Sequence, residues 1–414
     1  MAAANPSTRR LPSLDQFRGY TVVGMMLVNY LGGFAACPRI LKHTHDYCSY
    51  ADTIMPQFLF AVGFAMRLTF GRRAESGGRA GYGRIVRRLL GLVLVSLVVY
   101  TVGSRAGSWK ELCDMGFLAV IGEPLKRNWF QTLMHIAVTS LWILPVVRAT
   151  AATRIAWLVL SAAAHVALSW WFNFAWVNAP PAGIDGGPLG FLTWCVPALV
   201  GTLACDAFVP STHGASTRGA STHAPAPPIP LGRIAAAAAL LMALGYVFSC
   251  GTRSYDLPAE RVPGAAKMAD DPVVPGAERL GWKREAGGGI GAWLTEAPFV
   301  PPPPAPRRQW NYWMMSQRAG SLSYLVFSAG FSLAVFLAFH LACDRAGWHL
   351  PLFTTFGTNA ILAYVLHDMV GTAVQGFVPR DAPGWYVTGS LILFGWITWL
   401  FIRHFEKDGV YLRV

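Results

Sequence analysis

Residues 321–343 read SLSYLVFSAGFSLAVFLAFHLAC, 23 positions without one Asp, Glu, Lys or Arg. Coiled as an α-helix such a stretch is about 34 Å long, enough to cross the ~30 Å hydrocarbon core of a bilayer. Apolar runs of similar length recur at roughly 17–36, 53–70, 85–103, 129–147, 154–173, 189–209, 233–250, 352–376 and 385–403. A weaker amphipathic stretch at 108–125, with Leu112, Met115, Phe117, Leu118 and Ile121, belongs at the interface. Gly, Pro and Ser within the runs are tolerated where neighbouring helices satisfy the backbone. The pattern predicts an all-α, polytopic transmembrane helical bundle of about ten spans.

Composition points the same way. Of 414 residues 54% are apolar and only 13% charged, against about 25% charged in soluble domains, so the chain needs lipid as part of its solvent. Its formal charge is +13, but no basic patch sits on a polar, foldable segment, so nucleic acid is not an expected partner. The seven cysteines form no CxxC pair, which gives no support to zinc or haem. Cys195, Cys205 and Cys343 lie in apolar runs and read as small hydrophobes, whereas Cys37 and Cys48 would pair if their loop faces an oxidising compartment. No cleavable leader is expected, because Met1–Pro12 is polar and the run beginning near Phe17 lacks a cleavage-like end.

Basic loops set an expected orientation. Segment 71–88 carries Arg72, Arg73, Arg79, Arg84, Arg87 and Arg88 against Glu75 alone. Arg9, Arg10, Arg148, Arg154, Arg233, Arg403, Lys407 and Arg413 fall on the same side, giving N-in/C-in, with loops 37–50, 173–188 and 251–320 on the opposite face. The expected organisation is a membrane half at 1–209, which contains the chemistry-bearing loop 37–52, then a linker at 210–231, a span at 232–250, an extracytoplasmic insertion at 251–320 and a second membrane half at 321–414. Near-repeats STHGA, STRGA and STHAP mark the linker as disordered and cytoplasmic. Residues 251–309 are expected to hold little regular structure, as an inert loop or a lid.

Charges beside or within spans cost free energy, roughly 2.5–3.5 kcal/mol at a helix centre, so each needs a reason. Asp15 and Arg18 share a helical face, as an interfacial ion pair behind a Ser13 N-cap or as a polar floor for an anionic cofactor. Asn29 lies near the end of that helix. Loop 41–52, LKHTHDYCSYAD, then places His43, His45, Asp46 and Asp52 within ten residues. Imidazole can take a proton from an amine or hydroxyl, and a carboxylate beside it orients the ring. The plainer readings are solvated loop histidines and a first-turn Asp52 facing the helix dipole. Zinc on His43, His45 and Asp46 lacks a fourth ligand, so no metal is expected. In the ninth run Asn359 precedes His367-Asp368, an intramembrane pair that marks either a site or an interhelical hydrogen bond. Gln131 and His135 share a face near the fourth run. Walker, GxSxG and nucleotide-binding glycine motifs are absent from the sequence.

Several blocks resemble the heparan-α-glucosaminide N-acetyltransferase family and its bacterial relatives: RLPSLDQFRG at 10–19, MLVNY at 26–30, LKH at 41–43, Ala51-Asp52 with PQFLFAVG at 56–63, NYWMMSQRAGSLSY at 311–324, FGTNAILAYVLHD at 356–368 and WLFIR at 399–403. The resemblance covers both ends of the chain. It implies an integral-membrane acetyltransferase that moves acetyl from cytoplasmic acetyl-CoA to an amino sugar or glycan on the other side, in a bacterial inner membrane, with room for a homodimer. The family's catalytic histidine falls on His43 and its catalytic asparagine on Asn29; Asp52 would orient a histidine. Arg72, Arg84, Arg87 and Arg88 would hold the cofactor's phosphates, as Arg commonly does, with Asp15, Arg18, Asn359 and His367 also on the cofactor's side of the site. The stretch after His43 departs from the family pattern, which makes His45 a rival base. A polysaccharide O-acetyltransferase, or a proton-coupled transporter with His367 and Asp368 as relay, are the alternative readings.

Overall fold

The computed structural model describes residues 11–74, 81–209, 229–262, 266–285, 287, 289–302 and 307–412, with the backbone alone at 71–74 and 81. The predicted linker 210–231 lies almost wholly outside the described residues, as do Arg9, Arg10, Arg79 and Arg413 and part of the Pro-rich run near 304. Among the described residues the chain is helical, with no strand: α1 Pro12–Leu31, α2 Tyr50–Ala74, α3 Gly81–Val99, α4 Trp109–Met115, α5 Phe117–Glu123, α6 Thr132–Ile143, α7 Ala151–Leu168, α8 Phe174–Asn178, α9 Phe191–Phe208, α10 Leu231–Cys250, α11 Ala277–Glu285, α12 Leu322–Phe339, α13 Pro351–Thr358, α14 Ala360–Gln375 and α15 Gly384–Lys407.

Among the described residues six helical stretches are long and apolar enough to cross a membrane: Tyr50–Phe70, Ala151–Asn178, Gly187–Phe208, Leu231–Tyr255, Leu322–Arg345 and Gly384–Lys407. The other expected spans fall short for local reasons. α1 opens with Asp15, Gln16 and Arg18, and α3 with Arg84, Arg87 and Arg88. α6 has only 12 residues. The expected span 352–376 is broken at Asn359, whose φ of −125° and ψ of 43° leave the helical region. Both ends of the Asn359 amide are taken up there: its Nδ2 donates to Val410 O at 3.0 Å and its Oδ1 accepts from Leu412 N at 3.2 Å.

The chain divides into two compact units, residues up to Lys42 together with 334 onward, and His43–Leu333. In the first, α1 lies so close to α13 that a side chain at Gly19 would overlap the Phe353 backbone, and one at Gly357 the Asp15 backbone. Small residues let membrane helices approach in this way, trading side-chain bulk for backbone van der Waals contact. Phe17 meets Phe336 and Phe339 edge-on at 5.5 and 5.9 Å. The expected Ser13 N-cap is replaced by a longer-range one: Leu11 takes the N-cap position without a side-chain bond, and Asp344 accepts from both the backbone and the hydroxyl of Ser13 at 3.1 and 2.6 Å.

In the second unit α2 and α9 make the closest pair. A side chain at Gly63 would overlap the Ala198 carbonyl, and one at Gly201 the Phe60 carbonyl. Arg154, expected in a basic loop, is instead 1% exposed. It binds Thr202 Oγ1 at 2.9 Å and pairs with Asp206, which Arg67 also reaches at 2.7 Å. Segment 251–309 has more order than its composition predicts. It holds α11 and short 3₁₀ turns, and Arg308 bridges Asp256 at 2.6 Å and Glu296 at 2.9 Å, with Arg253 joining both carboxylates. No disulfide forms among the described cysteines, so the expected Cys37–Cys48 pair is not made.

Candidate functional site

The N-terminus of α2 builds the site in the second unit. Ser49 is the cap: its Oγ accepts from Asp52 N at 3.3 Å, while Asp52 Oδ2 accepts from Ser49 N at 3.0 Å and Ser49 Oγ at 2.9 Å. This reciprocal arrangement is a capping box, which satisfies helix-terminal N–H groups that would otherwise lack partners. Thr44 Oγ1 donates to the same oxygen at 3.0 Å. Oδ2 is thus committed to structure. The other oxygen, Oδ1, lies 2.9 Å from His43 Nδ1. Tyr324 fixes this turn from α12 by donating to Asp52 O at 2.5 Å. Asp52 thus caps the helix with one oxygen and contacts His43 with the other.

Asp52 is 1% exposed and the His43 side chain 42% exposed. A carboxylate oxygen only accepts, so Nδ1 carries the ring proton and Nε2 keeps its lone pair. Burial works to lower the His43 pKa, but the hydrogen bond and charge of Asp52, with Asp185 and Gln317 adding, outweigh it and leave the net shift upward. His45 goes the other way. Burial and then the positive charge of Arg318 bring it down to about 4, against only a weaker pull from Asp52. The rival histidines are thus separated electrostatically.

Sequence reasoning passed over Asp185 and gave Gln317 no role. Gln317 Nε2 donates to Asp185 Oδ1 at 2.9 Å. Asp185 is 2% exposed. Burial pushes its carboxyl up to about 7, against the opposing pulls of Gln317 and His43. Its only sequence mark was a turn, GIDGG at 183–187.

Asn29 and His367 come together in the first unit. His367 Nδ1 donates to Tyr364 O at 2.5 Å, so the neutral ring's Nε2 accepts from Asn29 Nδ2 at 3.2 Å. Asp368, the sequence neighbour of His367, is exposed while His367 is buried; the hydrogen-bond partner of His367 is Asn29. The helix-borne Asn29 amide keeps one N–H and its Oδ1 for another group.

Of the expected phosphate ligands, Arg84, Arg87 and Arg88 are exposed on the first turns of α3, and the Arg72 side chain lies outside the described residues. Asp15 and Arg18 are half-buried on α1. Asn359 is occupied with the C-terminal backbone as described above. Among the described residues no group of three His, Cys, Asp or Glu is placed to hold a metal ion. His135, 0% exposed, packs its ring between Phe130 and Trp194.

No curated protein matches the chain. A family model does: residues 10–243, more than half of the chain and inclusive of Asn29, His43, Asp52 and Asp185, match heparan-α-glucosaminide N-acetyltransferase, catalytic. Gln317 and His367 lie beyond the matched region. A chain whose described residues are helical, with six helices among them fit to cross a bilayer, and which bears this match belongs to the heparan-α-glucosaminide N-acetyltransferase family of membrane acetyltransferases.

Proposed function

We propose that the protein transfers acetyl from cytoplasmic acetyl-CoA to the amine of an amino sugar, such as a terminal glucosamine of a glycan, across a bacterial inner membrane, with His43 as general base. The observation that carries this reading is the 2.9 Å contact of His43 Nδ1 with Asp52 Oδ1. It leaves Nε2 as the basic nitrogen on a ring that is fixed at one edge and open at the other. Nε2 takes a proton as the acceptor nitrogen attacks the thioester carbonyl; the C–S bond breaks, and the imidazolium returns that proton to the CoA thiolate. Asp52 stabilises the imidazolium between the two transfers without taking the proton itself. Opposite pKa directions favour His43 over His45 as the base. Asn29, hydrogen-bonded to His367, is the position on which the family's catalytic asparagine falls, and its role is drawn from that resemblance. Arg84, Arg87 and Arg88 supply the charge to hold phosphates.

The test is turnover of labelled acetyl-CoA by the full-length protein in nanodiscs, with free and glycan-linked glucosamine as acceptors. His43→Ala is expected to lower kcat by ~10²–10⁴, the usual worth of a positioned acid–base group. Turnover within a few-fold of wild type by folded His43→Ala overturns the assignment. Transfer to hydroxyls in preference to amines would make the enzyme an O-acetyltransferase.

A further inference from the structure

Within the second unit the insertion 251–309 reaches the loop that carries His43 through one turn. Residues 297–300 read Ala-Pro-Phe-Val, and Val300 N donates to Ala297 O at 3.1 Å. Pro at the second place and a positive φ at the third are the marks of a type II turn, whose third place normally takes glycine. Here that place holds Phe299 at φ 70°, a conformation that a bulky residue keeps only where its surroundings over-determine it. Two contacts do so. The ring packs on Phe327 and Phe331 of α12 at 5.7 and 5.3 Å, and the backbone N–H donates to Cys48 O at 2.9 Å. Tyr324, which fixes the Asp52 carbonyl, shares a face of α12 with those two phenylalanines, at helical spacing.

The chain ahead of this turn is anchored as well. Tyr246 of α10 donates to Thr295 O at 2.8 Å, and Arg253 Nε to Leu294 O at 2.8 Å. Glu296 pairs with Arg308 and Arg253 at 2.9 and 3.3 Å, and both arginines also pair with Asp256. Residues 294–299 therefore run from a fixed start to a fixed end. Cys48, where they finish, stands between Tyr47, whose carbonyl lies 2.5 Å from Thr44 Oγ1, and the Ser49 cap. A displaced Cys48 carries Ser49 with it, and so the Asp52 carboxylate that aligns His43. Tyr47 and Cys48 share with Glu296, Ala297 and Pro298 the wall of a cavity of about 20 Å³. That is room for one water and far too little for a sugar, so this contact braces the loop and does not hold the acceptor. We propose that residues 294–299 are a strap on the catalytic loop, with Phe299 as its positioning residue: the ring is held by α12, and the N–H sets the place of Cys48 O and hence of the His43–Asp52 pair. The inference rests on His43 being the base.

Phe299→Gly tests this in the full-length protein, because glycine keeps the N–H and accepts the positive φ while losing the ring that ties the turn to α12. In the acetyl-CoA and glucosamine assay kcat should fall by a factor on the order of ten, short of the ~10² that a displacement of ~1 Å can cost. KM for acetyl-CoA should stay unchanged. Hydrogen exchange at the amides of 43–52 should quicken while that of α9 stays as in the wild type, the mark of local opening. Glu296→Gln, which weakens the other anchor, should act in the same direction, and Phe299→Tyr, which keeps the ring, should restore kcat and protection. A folded Phe299→Gly at wild-type kcat overturns the proposal, whatever its melting temperature; should that variant fail to fold, wild-type kcat in Glu296→Gln does so. An inactive His43→Ala beside a fully active Phe299→Gly ends this inference alone, whereas an active His43→Ala ends the reading beneath it.

Discussion

Asp52→Asn separates the two duties of one carboxylate. The carboxamide has two orientations. In one, its NH₂ faces Ser49 N, Ser49 Oγ and Thr44 Oγ1, the three donors now bonded to Oδ2. That sets donor against donor at Ser49 N, the one group there that cannot turn to accept, in a region where Ser49 and Asp52 are almost fully buried, at about 1–3 kcal/mol; the single hydroxyl proton of Thr44 has Tyr47 O, at 2.5 Å, as its other acceptor. In the other, the amide oxygen keeps all three donors and the NH₂ faces His43 Nδ1. Only the His43 contact changes, and a change of tautomer restores it, so the second orientation wins by about 1–3 kcal/mol on the same figure. The cap survives, and stability falls by only ~0.3–1 kcal/mol for the lost charge at the helix N-terminus. The imidazole does not survive as a base. Facing an N–H donor, Nδ1 must accept, so the proton moves to Nε2 and the lone pair aimed at the acceptor is lost; a wrong tautomer of this kind costs up to ~10⁴ in turnover.

The assay pairs acetyl-transfer kinetics with thermal unfolding in the same nanodiscs. The expected result is a folded protein, near wild type in stability, with kcat down by ~10²–10⁴. Thr44→Val supplies the complement, because it removes a donor to Oδ2 and leaves Oδ1 alone; its turnover should hold within a few-fold while stability drops by about 1 kcal/mol. Wild-type turnover by folded Asp52→Asn refutes the argument that Asp52 sets the tautomer of His43.

The remaining expectations are brief. Because Asp52 and Asp185 favour the protonated ring, the His43 pKa lies above its ordinary value of 6.5; kcat/KM should therefore rise with pH through a midpoint above that value, and a midpoint below it contradicts the site's electrostatics. His45, held near 4 by burial and Arg318, is neutral throughout that range, so His45→Ala should leave the midpoint in place, as a pH profile will show. His367→Leu frees the Asn29 amide and should lower kcat by less than the ~10²–10³ lost with an oxyanion donor itself, with no shift of the pH limb. Gly201→Val drives a side chain into the Phe60 carbonyl, and at a cost of at least ~1–3 kcal/mol for overpacking the monodisperse peak on size exclusion should diminish.

What the sequence discloses about this protein depends on how far apart the cooperating residues lie. Hydropathy is a local average, so a helix such as Leu322–Phe339 is plain in it. The break at Asn359 is not, because the runs on both sides are apolar and the residues that occupy its amide, Val410 and Leu412, lie some fifty positions away. The site follows the same rule. His43 and Asp52 are nine residues apart and share one loop and one helix turn, so inspection of that stretch suggests their pairing. Gln317 and Asp185 are 132 apart, and Asn29 and His367 are 338 apart; nothing in either local stretch names its partner. Ser13 makes the same point for stability: its type and place suggest a cap, yet the group that satisfies the helix end is Asp344, 331 residues away. An aspartate in a glycine-rich turn is usually there because its side chain tolerates the backbone. Asp185 shows that the same tolerance can hold a buried carboxyl within electrostatic reach of His43, and only the fold, which brings Gln317 and Trp194 against that turn, tells the two uses apart.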